Sequence, residues 1–142
     1  MKKYKIGYTQ GVFDMFHIGH LNLINHAKEY CDYLVVGVNS DKLVEEYKKK
    51  KTVINERERA QIVANIKAVD KVIIVNTLDK EEILKKIKFD AVFIGDDWKG
   101  SPRWNATEEA MKKYGVDVVY LKHTENISST ILRVLDENSI KE

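Results

Sequence analysis

Two histidines, His17 and His20, stand in the stretch of sequence that is most suggestive of chemistry. They belong to "GVFDMFHIGH", residues 11–20, which follows a strand-like apolar run at 4–9 and precedes a helical pattern. Residues at i and i+3 share one face of a helical turn. The first turn of a helix also offers unpaired backbone N–H groups and the positive end of the helix dipole. The spacing therefore favours a turn that binds phosphate.

Two other interpretations of this stretch stay open. A zinc site needs a third and usually a fourth ligand; Asp14 is near in sequence, but His26 falls on another side of the predicted helix. A packed core turn needs no ligand at all. We favour phosphate because Gly11 permits a tight turn close to a ligand and Gly19 keeps the space between the histidines open.

Strand-like runs alternate with helical patterns along the whole chain. We predict strands at 4–9, 33–38, 71–75, 91–95 and 117–121, and helices at 20–30, 40–47, 55–66, 79–87, 105–115 and 128–138. This alternation predicts a Rossmann-like three-layer α/β sandwich, in which a five-stranded parallel sheet carries helices on both faces. Such sheets bind ligands beyond the carboxyl ends of their strands.

Length, charge and cysteine content restrict the class of protein. The 142 residues are predicted to form a single domain over 1–142. A net charge of +2 argues against a general nucleic-acid binder. The apolar runs have strand length rather than the length of a membrane span, and no signal peptide is visible. A lone Cys31 allows no internal disulfide, which favours a cytoplasmic protein. From the charge and the apolar runs we expect no nucleic-acid partner and no membrane partner.

A cluster of lysines, "YKKKK" at 47–51, is the most uneven feature of the charge distribution. It has two interpretations: a solvated loop, or a loop that closes over a polyanion.

The string "GVFDMFHIGH" resembles the signature of the HxGH nucleotidyltransferases. Three further segments, "NERERAQIV" (55–63), "GDDW" (95–98) and "HTENISST" (123–130), are similar to the cytidylyltransferase branch, closest to bacterial glycerol-3-phosphate cytidylyltransferases. The resemblance implies transfer of CMP from CTP to a small phosphomonoester, first of all glycerol 3-phosphate, which gives CDP-glycerol and pyrophosphate.

Alternatives to this activity remain. The acceptor could be choline phosphate, ethanolamine phosphate or another precursor of a surface polymer, and an ATP-dependent adenylyltransferase ranks below these. A nucleotide-binding sensor without turnover is the non-enzymatic alternative. The resemblance also implies Mg²⁺ arriving with CTP, no metal held by protein side chains, and a homodimer.

The resemblance assigns roles residue by residue. The catalytic residues are expected to be His17, His20 and Lys51. The acceptor or its phosphate is expected at Lys49, Arg59 and Trp98, although which lysine of 48–51 contacts phosphate stays open. The nucleotide is expected to contact a larger set that comprises Thr9, Gly11, Val12, Phe13, Asp14, Gly19, Asp97, His123, Thr124, Ile127, Ser128 and Ser129.

Taken singly, several of these residues are ordinary. Asp97 suits a loop cap, Ser128 and Ser129 suit helix caps, and Trp98 and Trp104 suit packing. What favours a binding site is that all of these residues follow the order of the family motifs and lie at the same end of the predicted sheet.

This chain departs from the family pattern at three positions. His123 stands where the family usually has arginine, Asn126 replaces a glycine, and Val12 replaces a threonine. A histidine lacks the bidentate fork of arginine. If His123 is protonated beside phosphate, nucleotide affinity is expected to fall between about pH 6 and 8.

Overall fold

The computed structural model describes residues 2–122 and contains a five-stranded, all-parallel sheet in the order β3-β2-β1-β4-β5. The strands are β1 (Tyr4–Gly11), β2 (Cys31–Asn39), β3 (Lys71–Val75), β4 (Ala91–Gly95) and β5 (Asp117–Leu121). The helices are α1 (Ile18–Lys28), α2 (Asp41–Lys48), α3 (Glu56–Ala64), α4 (Lys80–Lys86) and α5 (Pro102–Lys112), with a 3₁₀ turn at Asp96–Trp98. The predicted Rossmann-like architecture is confirmed.

Helices cover both faces of the sheet. On one face, Ile24 of α1 and Val63 of α3 pack with Leu34 of β2. On the other face, Ile83 of α4 and Met111 of α5 pack in a second core cluster. Adjacent residues of β2 point to opposite faces, and β2 is apolar on both because both of its faces are covered.

The central strand β1 lies between β2 and β4, where the order of strands reverses. Thr9 pairs with Val36 on one side and with Phe93 on the other. Because Gly11 and Gly95 each lie two residues beyond this pair, β1 and β4 end at the same level. Parallel sheets place their ligands at such a switch point.

Two element boundaries differ from the sequence prediction for local reasons. Helix α1 begins at Ile18 rather than at residue 20, because the side chain of His17 caps it. Helix α5 begins at Pro102 rather than at residue 105, because Ser101 accepts a hydrogen bond from the Trp104 N–H and proline suits the first helical position.

The helix predicted at 128–138 lies outside the described residues. Within residues 2–122, no helix has the length and apolar character needed to cross a membrane.

Candidate active site

His17 and His20 form a reciprocal cap at the start of α1. The His17 Nδ1 accepts a hydrogen bond from the Gly19 N–H at 3.1 Å, and the His20 Nδ1 accepts one from the His17 N–H at 3.2 Å. The two rings stack with centroids 3.9 Å apart. Because both Nδ1 atoms act as acceptors, each neutral ring carries its proton on Nε2. Each imidazole therefore keeps one N–H donor for a ligand.

His20 is neutral at ordinary pH. Burial of its ring lowers its pKa to about 4, helped by the charges of His17 and Lys48 and opposed by Asp14. The ring therefore serves as a hydrogen-bond donor rather than as a cation.

The turn between β1 and α1 is compact and unusual in its backbone. Phe13 and Met15 both adopt positive φ, 54° and 48°, which is uncommon for residues other than glycine. Phe13 is buried and meets the His20 ring edge-on, with centroids 5.4 Å apart. A Cβ at Gly11 would lie 3.1 Å from the Phe13 ring, so glycine leaves the room that this ring needs.

Asp14 joins this turn to the segment that follows the lysine cluster. Its carboxylate accepts hydrogen bonds from the N–H groups of Val53 at 2.8 Å and Ile54 at 2.9 Å. Partial burial by itself would raise the pKa of Asp14, but these two N–H groups and the charge of Arg59 bring it below its ordinary value. The carboxylate is thus committed to holding the two segments together.

The lysine cluster and the histidines face one cavity of about 410 Å³. Lys48, Lys50 and Lys51 line it together with His17 and His20. The predicted phosphate ligand Lys49 is not among the lining residues: it ends α2 in the left-handed conformation, with φ of 58°. The structure therefore brings Lys51, and not Lys49, to the histidines.

Arg59 occupies a position that differs from the sequence expectation. Its side chain is fully buried, and four of its five N–H groups donate to protein oxygens. The acceptors are the carbonyls of Val12, Asn39 and Ile54 and the carboxylate of Asp41. The Arg59 side chain is therefore used largely by the protein itself, and its expected contact with the acceptor or its phosphate stays a prediction. Arg59 holds together the backbone around the cavity.

Asp41 is the partner that sequence reasoning missed. It also accepts hydrogen bonds from the Thr52 hydroxyl and the Glu56 N–H, while the Glu56 carboxylate accepts one from the Asp41 N–H. Burial alone would raise the pKa of Asp41, but the hydrogen bonds from Arg59, Thr52 and Glu56 lower it. An aspartate shortly after a strand is typical of the first turn of a helix, so no sequence signal indicated that Asp41 is the partner of Arg59.

Thr9, an expected nucleotide contact, also forms a hydrogen bond inside the protein through its side chain. It is fully buried, and its hydroxyl donates to the Phe93 carbonyl at 2.9 Å. This bond joins β1 to β4 below the cavity and uses the Thr9 hydroxyl, and the expected contact of Thr9 with the nucleotide stays a prediction.

Asp97 and Trp98 follow β4 at the same edge of the sheet. Both side chains are exposed, and a Cβ at Gly95 would lie 2.7 Å from the Asp97 Oδ1, so glycine allows this carboxylate to fold back over the strand end. Trp98 is 43% exposed, and the Arg103 guanidinium lies 5.1 Å from its ring centroid. Trp104, by contrast, is a buried packing residue.

The remaining expected nucleotide contacts, His123, Thr124, Ile127, Ser128 and Ser129, lie outside the described residues. Within residues 2–122, no three His, Cys, Asp or Glu side chains are grouped so that they could hold a metal ion.

Comparison with known proteins agrees with this arrangement of an α/β sheet with hydrogen-bond donors gathered at its carboxyl edge. Residues 8–135 match the cytidylyltransferase-like family. The chain therefore belongs to the cytidylyltransferase-like family of nucleotidyltransferase enzymes, and the family resemblance read from the sequence is confirmed.

Two kinds of relative are similar to this chain. Glycerol-3-phosphate cytidylyltransferase from Bacillus spizizenii is 36% identical over 126 residues, which cover 88% of this chain and 92% of the relative. The bifunctional protein HldE from Koribacter versatilis is 34% identical over 129 residues, which cover 90% of this chain. The chain spans only about a quarter of the length of that HldE protein, 26% of it.

A solved structure also resembles the fold. The crystal structure of the lipopolysaccharide core biosynthesis protein from Thermoplasma volcanium superposes with a TM-score of 0.72 at 25% identity. The match covers 85% of this chain and 97% of that one.

Proposed function

We propose that this protein is a CTP-dependent cytidylyltransferase that transfers CMP to a small phosphomonoester, with glycerol 3-phosphate as the first candidate. The products are then CDP-glycerol and pyrophosphate. One observation carries the proposal: two imidazoles whose Nδ1 atoms are fixed by backbone N–H groups line the same cavity as three lysines. Such a cavity offers hydrogen-bond donors and positive charge to a triphosphate.

The chemistry is an in-line displacement at the α-phosphorus. A phosphate oxygen of the acceptor forms the new P–O bond while the bond from the α-phosphorus to the bridging oxygen of pyrophosphate breaks. The protein positions the reactants and stabilises developing charge. The Nε2–H groups of His17 and His20 donate to the α-phosphate and bridging oxygens, and Lys48, Lys50 and Lys51 neutralise the β- and γ-phosphates.

Mg²⁺ would come with the nucleotide substrate rather than be held by protein side chains, and it would supply neutralisation of phosphate charge. The donor-rich cavity supports this view, because Asp14, the carboxylate among its described lining residues, already uses both oxygens to accept backbone hydrogen bonds. Arg59 and Asp41 act as positioning residues beneath the cavity.

The glycerol 3-phosphate assignment is supported by relatives that match this chain over nearly their full length. Choline phosphate, ethanolamine phosphate and other phosphorylated precursors remain the alternative acceptors, and ATP remains the alternative nucleotide. We also propose, from the resemblance alone, a cytoplasmic homodimer in which the nucleotide contacts Asp97, His123, Thr124, Ile127, Ser128 and Ser129.

The test is an assay of pyrophosphate release with each of four nucleoside triphosphates against a panel of phosphomonoesters. We expect turnover with CTP and glycerol 3-phosphate and little with ATP, GTP or UTP. Release of pyrophosphate with ATP in preference to CTP would contradict the cytidylyl assignment, and no release with any pair would favour the sensor.

A further inference from the structure

A chain of hydrogen-bonded side chains, which the mechanism above does not use, joins the wall of the candidate active site to helix α2. Gln10 lines the cavity, and its Oε1 accepts a hydrogen bond from the Tyr8 hydroxyl at 2.8 Å. The Gln10 Nε2 donates to the Asn39 Oδ1 at 2.8 Å and to the Thr77 carbonyl at 3.0 Å. The Asn39 Nδ2 donates in turn to the Tyr47 hydroxyl at 3.0 Å. The chain of side chains therefore connects β1, the end of β2 and α2.

The part of this chain that lies in the sheet is fixed in position. Tyr8 is fully buried, and a Cβ at Gly37 would collide with its hydroxyl oxygen, so glycine leaves the room that this hydroxyl needs. Both Nε2 hydrogens of Gln10 are used inside the protein, so this amide has no N–H left for a phosphate. Asn39 is buried, and its carbonyl also accepts a hydrogen bond from Arg59. Asn39 thus presents its Nδ2–H to α2 from an anchored position.

Tyr47, where this chain ends, is adjacent to a lysine of the cavity. It precedes Lys48, the last residue of α2, whose side chain lines the cavity. The Lys48 ammonium lies 5.8 Å from the centroid of the Tyr47 ring, within the range of a cation–π contact. The charge of Lys48 also reaches the imidazole of His20, whose pKa it helps to lower. Because Asn39 holds the Tyr47 hydroxyl, the ring that faces the ammonium is held as well.

A lysine that is already oriented binds an anion at a smaller entropic cost. Its long side chain loses much conformational freedom when a ligand orders it, and prior orientation removes part of that loss. We propose that Tyr47 is a positioning residue for the triphosphate, which holds the Lys48 ammonium at the cavity before the nucleotide arrives. This inference rests on the proposed function, because it takes the cavity to be the place of the triphosphate. Lys48 touches the substrate, whereas Tyr47 acts only through Lys48.

The test is a double-mutant cycle with Tyr47→Phe, which keeps the ring and removes the hydroxyl, and Lys48→Gln, which removes the charge. Isothermal titration calorimetry with inorganic tripolyphosphate gives the Kd of each single variant and of the double variant. We expect the Kd to rise about tenfold in Lys48→Gln and about threefold in Tyr47→Phe. The double variant should bind as Lys48→Gln does, because the hydroxyl has nothing to position once the ammonium is absent. The control Tyr33→Phe, at an exposed tyrosine of β2, should bind as the wild type does.

Two further readouts separate positioning from a general loss of structure. In the pyrophosphate assay, Tyr47→Phe should raise the KM for CTP by the same factor of about three at unchanged kcat. In ¹⁵N NMR, both Tyr47→Phe and Lys48→Gln should raise the pKa of His20 above about 4, while Tyr33→Phe should not.

Three results would overturn the role of Tyr47. They are single losses of tripolyphosphate affinity that multiply in the double variant, a Tyr47→Phe variant with unchanged affinity, and a wild type that does not bind tripolyphosphate. A wild type that binds tripolyphosphate but releases no pyrophosphate from any nucleotide would contradict the proposed function alone, and the cycle would still decide about Tyr47.

Discussion

The two segments that border the candidate site are held by different kinds of interaction. The turn at 12–16 and the segment at 52–56 are joined by backbone N–H groups that donate to Asp14 and by the buried Arg59, which donates to carbonyls of both. Asp41 accepts further hydrogen bonds from the segment at 52–56 and from Arg59. The segment at 96–104 instead presents Trp98 and Arg103 on its surface, joined by a stacking contact. The first region is thus fixed by buried hydrogen bonds, whereas replacement of Trp98 or Arg103 leaves the core intact.

The comparison predicts that the largest loss of stability comes from removing the buried hydrogen bonds of Arg59. We expect Arg59→Met to lower the free energy of unfolding by about 3 kcal/mol, because it strips buried oxygens and Asp41 of their donors. Arg57→Met, an exposed change on the same helix, should stay within about 0.5 kcal/mol. Urea denaturation measures both. If Arg59→Met raised KM with unchanged stability, Arg59 would be a direct ligand rather than the centre of this network.

The next effect concerns the histidines. Removal of the imidazole in His17→Ala or His20→Ala removes a positioned donor, so kcat should fall by roughly 10²–10³. His26→Ala, a change on the same helix but beyond its first turn, serves as the control and should retain activity. Steady-state pyrophosphate release reports all three. Near-normal turnover in both of the first two variants would remove these rings from the mechanism.

A smaller effect is expected at Asp14, which connects the turn to the segment after the lysines. Asp14→Asn keeps the shape but loses one acceptor oxygen, so the lysines are held less well and the KM for CTP should rise about tenfold. Asp32→Asn, at an exposed position, is the matched control. A rise in the KM for the acceptor alone would instead place Asp14 against the acceptor.

The smallest effect is a dependence of stability on pH. Folded His20 has a pKa of about 4, whereas the unfolded residue takes up a proton near its ordinary value of 6.5. Between these values the unfolded state binds more protons, so the protein loses stability as pH falls. Urea midpoints at pH values from about 7 to 5 should decline more steeply in the wild type than in His20→Gln. Parallel declines would mean that His20 titrates normally.

The sequence predicted the fold well because the relevant signals are local. Apolar runs of strand length separated by helical patterns predicted all five strands of the described sheet, and the glycines of 11–20 marked the turn. The roles of Arg59 and Thr9 depend on contacts with distant parts of the chain, which no local pattern records. In sequence, Arg59 looks like a surface helix residue. Only the fold brings it within hydrogen-bond distance of the carbonyls of Val12, Asn39 and Ile54, which belong to three separate segments.

The start of α1 illustrates the same limit. Histidine is not among the residues usually preferred at a helix N-cap, so no sequence signal indicated a helix start at His17. The hydrogen bonds from the Gly19 N–H to His17 and from the His17 N–H to His20 became visible only with both side chains in place. These bonds fix the ring tautomers, which is the feature on which the proposed chemistry depends.

The most direct test of the account is ¹⁵N NMR of the histidine side chains with and without CTP. We predict that at neutral pH His17 and His20 carry their protons on Nε2, and that CTP shifts the Nε2 signals of both while leaving His26 unchanged. Protons found on Nδ1, or rings whose signals ignore CTP, would contradict the claim that this pair donates hydrogen bonds to a nucleotide's phosphates.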